Sequence, residues 1–245
     1  MASFARRRLR VVLGIALALA VLTPLGFWLR SSSLVAVQHV TVTGIDGRQA
    51  GAIRSALTQA ARDMTVLEVR RDALRTAVEP FPVVRSLRTQ TDFPHGLTIT
   101  VNAYEPVGAV QSGASLTAVA FDGTLLRGTT ARGLPVVRVR TTPGGDRITD
   151  RETLGAVGVL AAAPPALRAR VARVYRGPRG LAATVLDGPK LYFGGAAQLV
   201  AKWGAASQVL AHRSSRGASY IDLRVPERPV AGPFKPREGD PQSQL

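Results

Sequence analysis

Residues 81–110 read FPVVRSLRTQTDFPHGLTITVNAYEPVGAV, two extended runs joined by a turn and closed by a proline stop. In the second run Leu97, Ile99, Val101 and Ala103 alternate with Thr98, Thr100, Asn102 and Tyr104. Such alternation describes a strand with one face in a core and the other in water. The first run, Val83 to Thr91, meets it across the turn DFPHG, so a hairpin is predicted here.

Upstream, SLVAVQHVTVTGIDG predicts a strand from about Val35 to Thr43 that ends at Gly44. Its alternation slips near Gln38 and His39, the mark of a bulge or an edge position. Asp46 and Gln49 have the spacing of a capping box, and behind them Ile53, Leu57, Ala60 and Met64 share one helix face. Leu67, Leu74, Val78 and Phe81 suit a second short helix, stopped at Pro80 and Pro82. Strand, helix, helix, strand, strand makes a compact α+β unit.

Downstream, EPVGAVQSGAS marks a boundary, and from Ala118 the pattern is strand-rich. TAVAFDGTLLRG places Asp122-Gly123 at a turn, and GLPVVRVR is another candidate strand. Thr149 with Glu152 offers a capping box for a helix through Leu154, Val157 and Leu160, ended by Pro164-Pro165. ARVARVYRG, GLAATVLDG and KLYFGG read as successive strands, and Leu199, Trp203, Ala206 and Leu210 line one helix face. ASYIDLRVPERPVAG is a final strand, and residues 233–245, rich in proline and polar side chains, read as disordered.

The amino end decides where all this lies. Arg6, Arg7, Arg8 and Arg10 precede an uncharged run from Val11 to Leu29. A helix over that run would rise roughly 28 Å, close to the hydrocarbon thickness of a bilayer. Bulky residues follow where signal cleavage would need small ones, so an uncleaved anchor is expected, with a cytoplasmic tail at residues 1–10 and everything after Leu29 outside.

The chain has 245 residues, no cysteine and a formal net charge of +16. Without cysteine there are no disulfides, thiolate nucleophiles or cysteine metal sites. The charge is almost all arginine and scattered. It is readable as attraction to polyanions such as anionic wall polymers, or as an arginine-favouring coding bias. Export weakens any nucleic-acid role, and no phosphate-binding glycine loop is present. His39, His95 and His212 lack metal-ligand spacing, and Asp122 and Asp187 precede glycine as turn residues do.

The order of elements resembles the FtsQ/DivIB family of bacterial cell-division proteins. The resemblance rests on Pro82-Val83, Phe93-Pro94, Glu105-Pro106-Val107, Phe121-Asp122-Gly123, Leu134-Pro135, Phe193-Gly194 through Lys202, and most specifically Tyr220-Ile221-Asp222-Leu223-Arg224. It implies an α+β fold: a transmembrane helix at 11–29, a POTRA domain at 34–106, and a β domain at 115–232 with helices packed on its sheet. It also implies a non-enzymatic single-pass scaffold at the division septum, without catalytic residue, cofactor or metal. Such a scaffold would bind FtsB/FtsL-like coiled-coil partners and other divisome components, and help control septal peptidoglycan synthesis.

An exposed final strand can accept a partner segment as a further strand. Tyr220, Asp222, Arg224, Val225, Arg228 and Val230 are the expected partner-binding residues. Arg224 and Arg228 either meet acidic side chains of the partner or are simple surface arginines of an arginine-rich chain, whereas Asp222 either pairs with an arginine or joins the partner surface. Lys202, beside Trp203, reads as a snorkelling lysine on a solvated helix face, with a structural or partner role as the alternative. Three prolines in VPERPVAGPF would interrupt a continuous edge strand. The rival function is a membrane-tethered protein that binds or modifies wall polymers.

Overall fold

In a computed structural model of the protein the alternating run is strand β3 (Gly96–Ala103), and Leu97, Ile99 and Val101 are each at most 2% exposed. Burying a side chain of that size is worth roughly 1.5–3 kcal/mol. A one-residue slip would turn all three to water, so their burial fixes the register. The structure describes residue 20, residues 35–139 and residues 144–234. The chain divides into two units, one ending at Ala103 and the other starting at Tyr104.

The first unit runs β1 (His39–Thr43), α1 (Ala50–Ala61), α2 (Arg71–Val78), β2 (Val84–Asp92), β3. Its sheet has the order β1-β3-β2, with β1 parallel and β2 antiparallel to β3. Ile53 and Leu57 of α1 and Leu74 of α2 complete the core. At the expected slip, the amides of Gln38 and His39 both donate to the carbonyl of His95, at 2.9 and 3.2 Å.

Three local expectations in this unit fail. The capping box does not form: Gln49 is the N-cap of α1 without a side-chain bond, and Asp46 lies exposed near Arg54. Met64 is buried beyond the end of α1, in the turn that follows, where its carbonyl accepts from Val37. Leu67 is 49% exposed and precedes α2 rather than lining it.

The second unit comprises β4 (Pro106–Ser112), β5 (Ser115–Ala120), β6 (Leu125–Leu126), β7 (Val136–Arg138), α3 (Arg151–Ala161), α4 (Pro165–Arg168), β8 (Val171–Gly177), β9 (Gly180–Val185), β10 (Lys190–Gly194), α5 (Leu199–Ala211), β11 (Ala218–Asp222) and β12 (Val230–Phe234). One nine-stranded sheet has the order β12-β11-β10-β9-β8-β7-β4-β5-β6. The segment expected as a boundary therefore supplies β4, an interior strand. Val107, Ala109 and Val110 are buried there because the strand is covered on both faces. β7 is short and, among the described residues, pairs in parallel with β8 only through Val136↔Arg173 and Val137↔Val174.

Helix α3 starts one residue away from expectation. Asp150 is its N-cap, and its carboxylate accepts from the Thr153 amide at 2.7 Å and hydroxyl at 2.6 Å. A carboxylate satisfies an unpaired amide and complements the positive end of the helix, an advantage Thr149 lacks. Val157 and Leu160 of α3 are fully buried, and the Trp203 indole of α5 donates to the Val159 carbonyl at 2.8 Å.

The expected fold class needs one correction. Its α+β character is present, but no membrane-spanning helix lies among the described residues, none of whose helices is long and apolar enough to cross a membrane. A span needs about 20 apolar residues, whereas the 13 residues of α5 include a lysine. Residues 11–29 lie, except Ala20, outside the described residues.

Candidate partner-binding edge

The C-terminal segment forms two strands where one was expected. β11 pairs in parallel with β10 and antiparallel with β12, with Tyr220 opposite Gly232 and Asp222 opposite Val230. Pro226 and Pro229 fall in the connection, where the Arg228 amide donates to the Val225 carbonyl at 3.1 Å. Prolines that would break a long strand instead reverse the chain. The outer edge of the sheet is therefore β12.

Backbone direction along this edge follows from one bond. The Leu223 amide donates to the Tyr192 carbonyl of β10 at 2.8 Å. By strand alternation, the amides of Tyr220 and Asp222 point the other way, to β12, and that of Ala231 points out of the sheet. Pro233 brings no N–H, and its carbonyl accepts from the Ser219 hydroxyl. Val225 and Val230 are 54% and 56% exposed, and Arg228 is exposed in the turn.

Ile221 and Leu223 are fully buried beneath this edge, which leaves Tyr220 and Asp222 on the opposite face. Tyr220 packs edge-on against Tyr192 of β10, with centroids 5.8 Å apart. The Arg179 guanidinium lies 5.0 Å from the Tyr192 centroid and 5.5 Å from that of Tyr220. A cation over two ring faces is attracted by both quadrupoles. Gly232 completes the stack, because a Cβ there would overlap the Tyr220 ring.

Asp222 is held by Arg224. The Arg224 Nε donates to both carboxylate oxygens at 3.0 Å, Nη2 donates to Oδ2 at 2.7 Å, and the backbone amide donates to Oδ1 at 3.1 Å. The Arg224 hydrogen bond holds the Asp222 carboxyl below the usual carboxylate range, against the opposing effect of burial and with a further pull from Arg179. Of the two roles open to Asp222 in the sequence, the arginine pair is the one formed.

Lys202 is 4% exposed, not snorkelling, and its Nζ donates to the carbonyls of Phe193 at 2.7 Å and Gly195 at 3.0 Å. Burial lowers its pKa. Asp122, expected as a turn residue, also accepts from the Tyr104 hydroxyl at 2.9 Å, the Thr124 amide at 3.1 Å and Arg147. Burial opposes its charge, but these bonds together hold its carboxyl low.

The structure thus places all six expected residues on β11, β12 or their connection. It adds Arg179, Tyr192 and Gly232, which sequence reasoning missed. Tyr192 lies between Leu191 and Phe193, both fully buried, so its outward direction was readable. Its neighbour across the sheet was not, because β10 and β11 are parallel strands separated by a helix.

Residues 109–224 match the family described as "Cell division protein FtsQ/DivIB, C-terminal". No curated protein matches the chain. Among solved structures, the major extracytoplasmic domain of the trans isomer of the cell-division protein DivIB from Geobacillus stearothermophilus is similar at 15% identity. That match covers 36% of this chain and 76% of the other, with a TM-score of 0.29.

Proposed function

This chain belongs to the FtsQ/DivIB family of cell-division proteins, and from that premise we propose that it is a non-enzymatic scaffold of the division machinery. It works outside the cytoplasmic membrane at the septum. It links early and late division proteins and helps control septal peptidoglycan synthesis through contacts with FtsB/FtsL-like coiled-coil partners. The observation that carries this reading is the position of β12 as the outer strand of the nine-stranded sheet, paired among the described residues only with β11.

A partner segment adds to that edge as a tenth strand. The outward amide and carbonyl of Ala231 supply backbone pairing, and exposed Val230 and Val225 supply apolar contact. Arg228 stands in the turn for an acidic partner residue, a charge-assisted contact that sets register. Pro233 ends the pairing and protects the remainder of the edge against unspecific addition.

Site-specific photo-crosslinking in growing cells tests the proposal, with probes at Val230 and Arg228 and a control at Arg54 on α1. Capture of small coiled-coil division proteins at the first two positions, but not the third, is the expected result. Capture of wall polymer alone at Arg228 would favour the rival reading. Capture only at Arg54 would move the working surface to the first unit.

A further inference from the structure

An ammonium group enclosed by protein is an expensive way to fill space, because burial disfavours its charged form. Lys202 is nevertheless buried between α5 and the end of β10. Its two acceptors, the carbonyls of Phe193 and Gly195, bracket a single residue, Gly194. That glycine is the point where β10 departs from regular pairing: its register with β9 shifts between Tyr192 and Gly194. Gly194 has a φ of 68°, a left-handed conformation that favours glycine.

Both sides of this irregularity are occupied. Gly180 approaches so closely that a Cβ on it would lie 2.7 Å from the Gly194 Cα. A Cβ on Gly194 would lie 2.9 Å from Cγ and 3.3 Å from Cδ of Arg224. The aliphatic stem of Arg224 therefore rests on the bare backbone of Gly194. From there its guanidinium reaches back to Asp222. The path from α5 to the edge is continuous: Lys202 fixes the carbonyls on either side of Gly194, Gly194 seats Arg224, and Arg224 holds Asp222 opposite Val230.

We infer that Lys202 is a positioning residue for the docking edge, holding the β10 bulge in the conformation on which Arg224 is seated. The inference rests on the docking reading given above for its biological meaning, but its physical content concerns this chain alone. The neighbouring residue supplies the comparison it needs. Trp203 also ties α5 down, through its indole bond to Val159 and its ring 5.0 Å from Phe193, yet it makes no bond to the bulge carbonyls. A merely structural lysine would behave as Trp203 does.

The test is the side-chain NMR signal of the Arg224 Nε proton in the purified full chain, read beside thermal unfolding. Lys202→Met is expected to lower the unfolding temperature and to speed exchange of that proton by at least about tenfold, as local opening of the bulge releases Arg224. Trp203→Phe is expected to lower the unfolding temperature while leaving the proton as protected as in the wild type. Lys202→Arg, which keeps a cation near the carbonyls, is expected to restore most of the protection.

Unchanged exchange in Lys202→Met, or equal acceleration in Trp203→Phe, overturns the inference. Should Lys202→Met fail to fold, Lys202→Gln takes its place with the same expected order. Crosslinking from Val230 separates the two levels. A wild-type chain that captures no partner, together with an Arg224 signal that depends on Lys202, sinks the docking reading and leaves the positioning role standing. Partner capture that survives in Lys202→Met with an undisturbed Arg224 signal does the reverse.

Discussion

The Tyr220 ring lies over the Cα of Gly232, its partner across β11 and β12: a Cβ built on Gly232 would lie 2.8 Å from Cε1 and closer still to Cζ and Oη. Only a residue without a side chain lets the ring lie there, under Arg179 and against Tyr192. The outermost strand is thus shaped by an aromatic residue of the strand inside it.

Gly232→Ala is therefore expected to destabilise the second unit by about 1–3 kcal/mol, the usual range for overpacking. Tyr220→Ala removes the obstruction, so the double variant should be more stable than the sum of the single effects implies. Urea midpoints of the four proteins close the cycle. Additive effects would show that Tyr220 and Gly232 are not coupled.

Asp222 gives the edge a pH dependence of known sign. Its folded-state pKa lies below the ordinary carboxylate value, so its stabilisation is present above the unfolded pKa of about 3.9 and is lost as pH falls through the folded value. Denaturant titrations at pH 7 and pH 3 should show a larger loss for the wild type than for Asp222→Asn. The two proteins should also differ less in concentrated salt, because Arg224 is partly solvent-exposed.

Asp122 organises the start of the second unit, where a Tyr104 hydroxyl, a Thr124 amide and an Arg147 guanidinium converge on it. Removal of the carboxylate by Asp122→Ala is expected to cost about 2 kcal/mol, the scale of bonds to a charged group. Tyr104→Phe, which removes one of these bonds, should cost about half as much. Thermal unfolding measures both, and equal losses would contradict the shared role.

Ala231→Pro separates folding from docking. The Ala231 amide points out of the sheet, so proline there removes no bond among the described residues, and proline is tolerated on edge strands. The urea midpoint should shift little, whereas partner capture from a probe at Val230 should fall to background. Undiminished capture would rule out strand addition at this edge.

Much of the first unit was legible because its periodicities are clean. Leu97, Ile99 and Val101 follow a strict period of two, and Ile53 and Leu57 a helical one, and each lies in the core. Cap identity was not legible, since Asp46-Gln49 has the right spacing in a chain direction that never brings the side chains to the amides. At the candidate site, Tyr220 to Arg224 announced a strand, but the hairpin beyond it was hidden. Pro226 and Pro229 mark a break equally well whether the chain leaves the sheet or returns to it. The Lys202 tether was hidden for another reason. A lysine beside a tryptophan on a helix looks solvated until the bulge that receives it is known, and that bulge is packed by Gly180 of β9 and by the Arg224 side chain beyond β11.

The shortness of β7 has a mechanical consequence. Among the described residues only Val136 and Val137 join it to β8, so the ladder between the β6-β5-β4 half of the sheet and the β8-to-β12 half is thin at its middle. A tug applied at β12 crosses that seam through very few backbone bonds. Helix α3 packs on β4, β7 and β8 together, and its buried Val157 and Leu160 act as a splint over the seam. Tension from a partner at one rim would therefore pass to the far half of the sheet largely through apolar packing, and softening α3 would decouple the two halves while each kept its own strands.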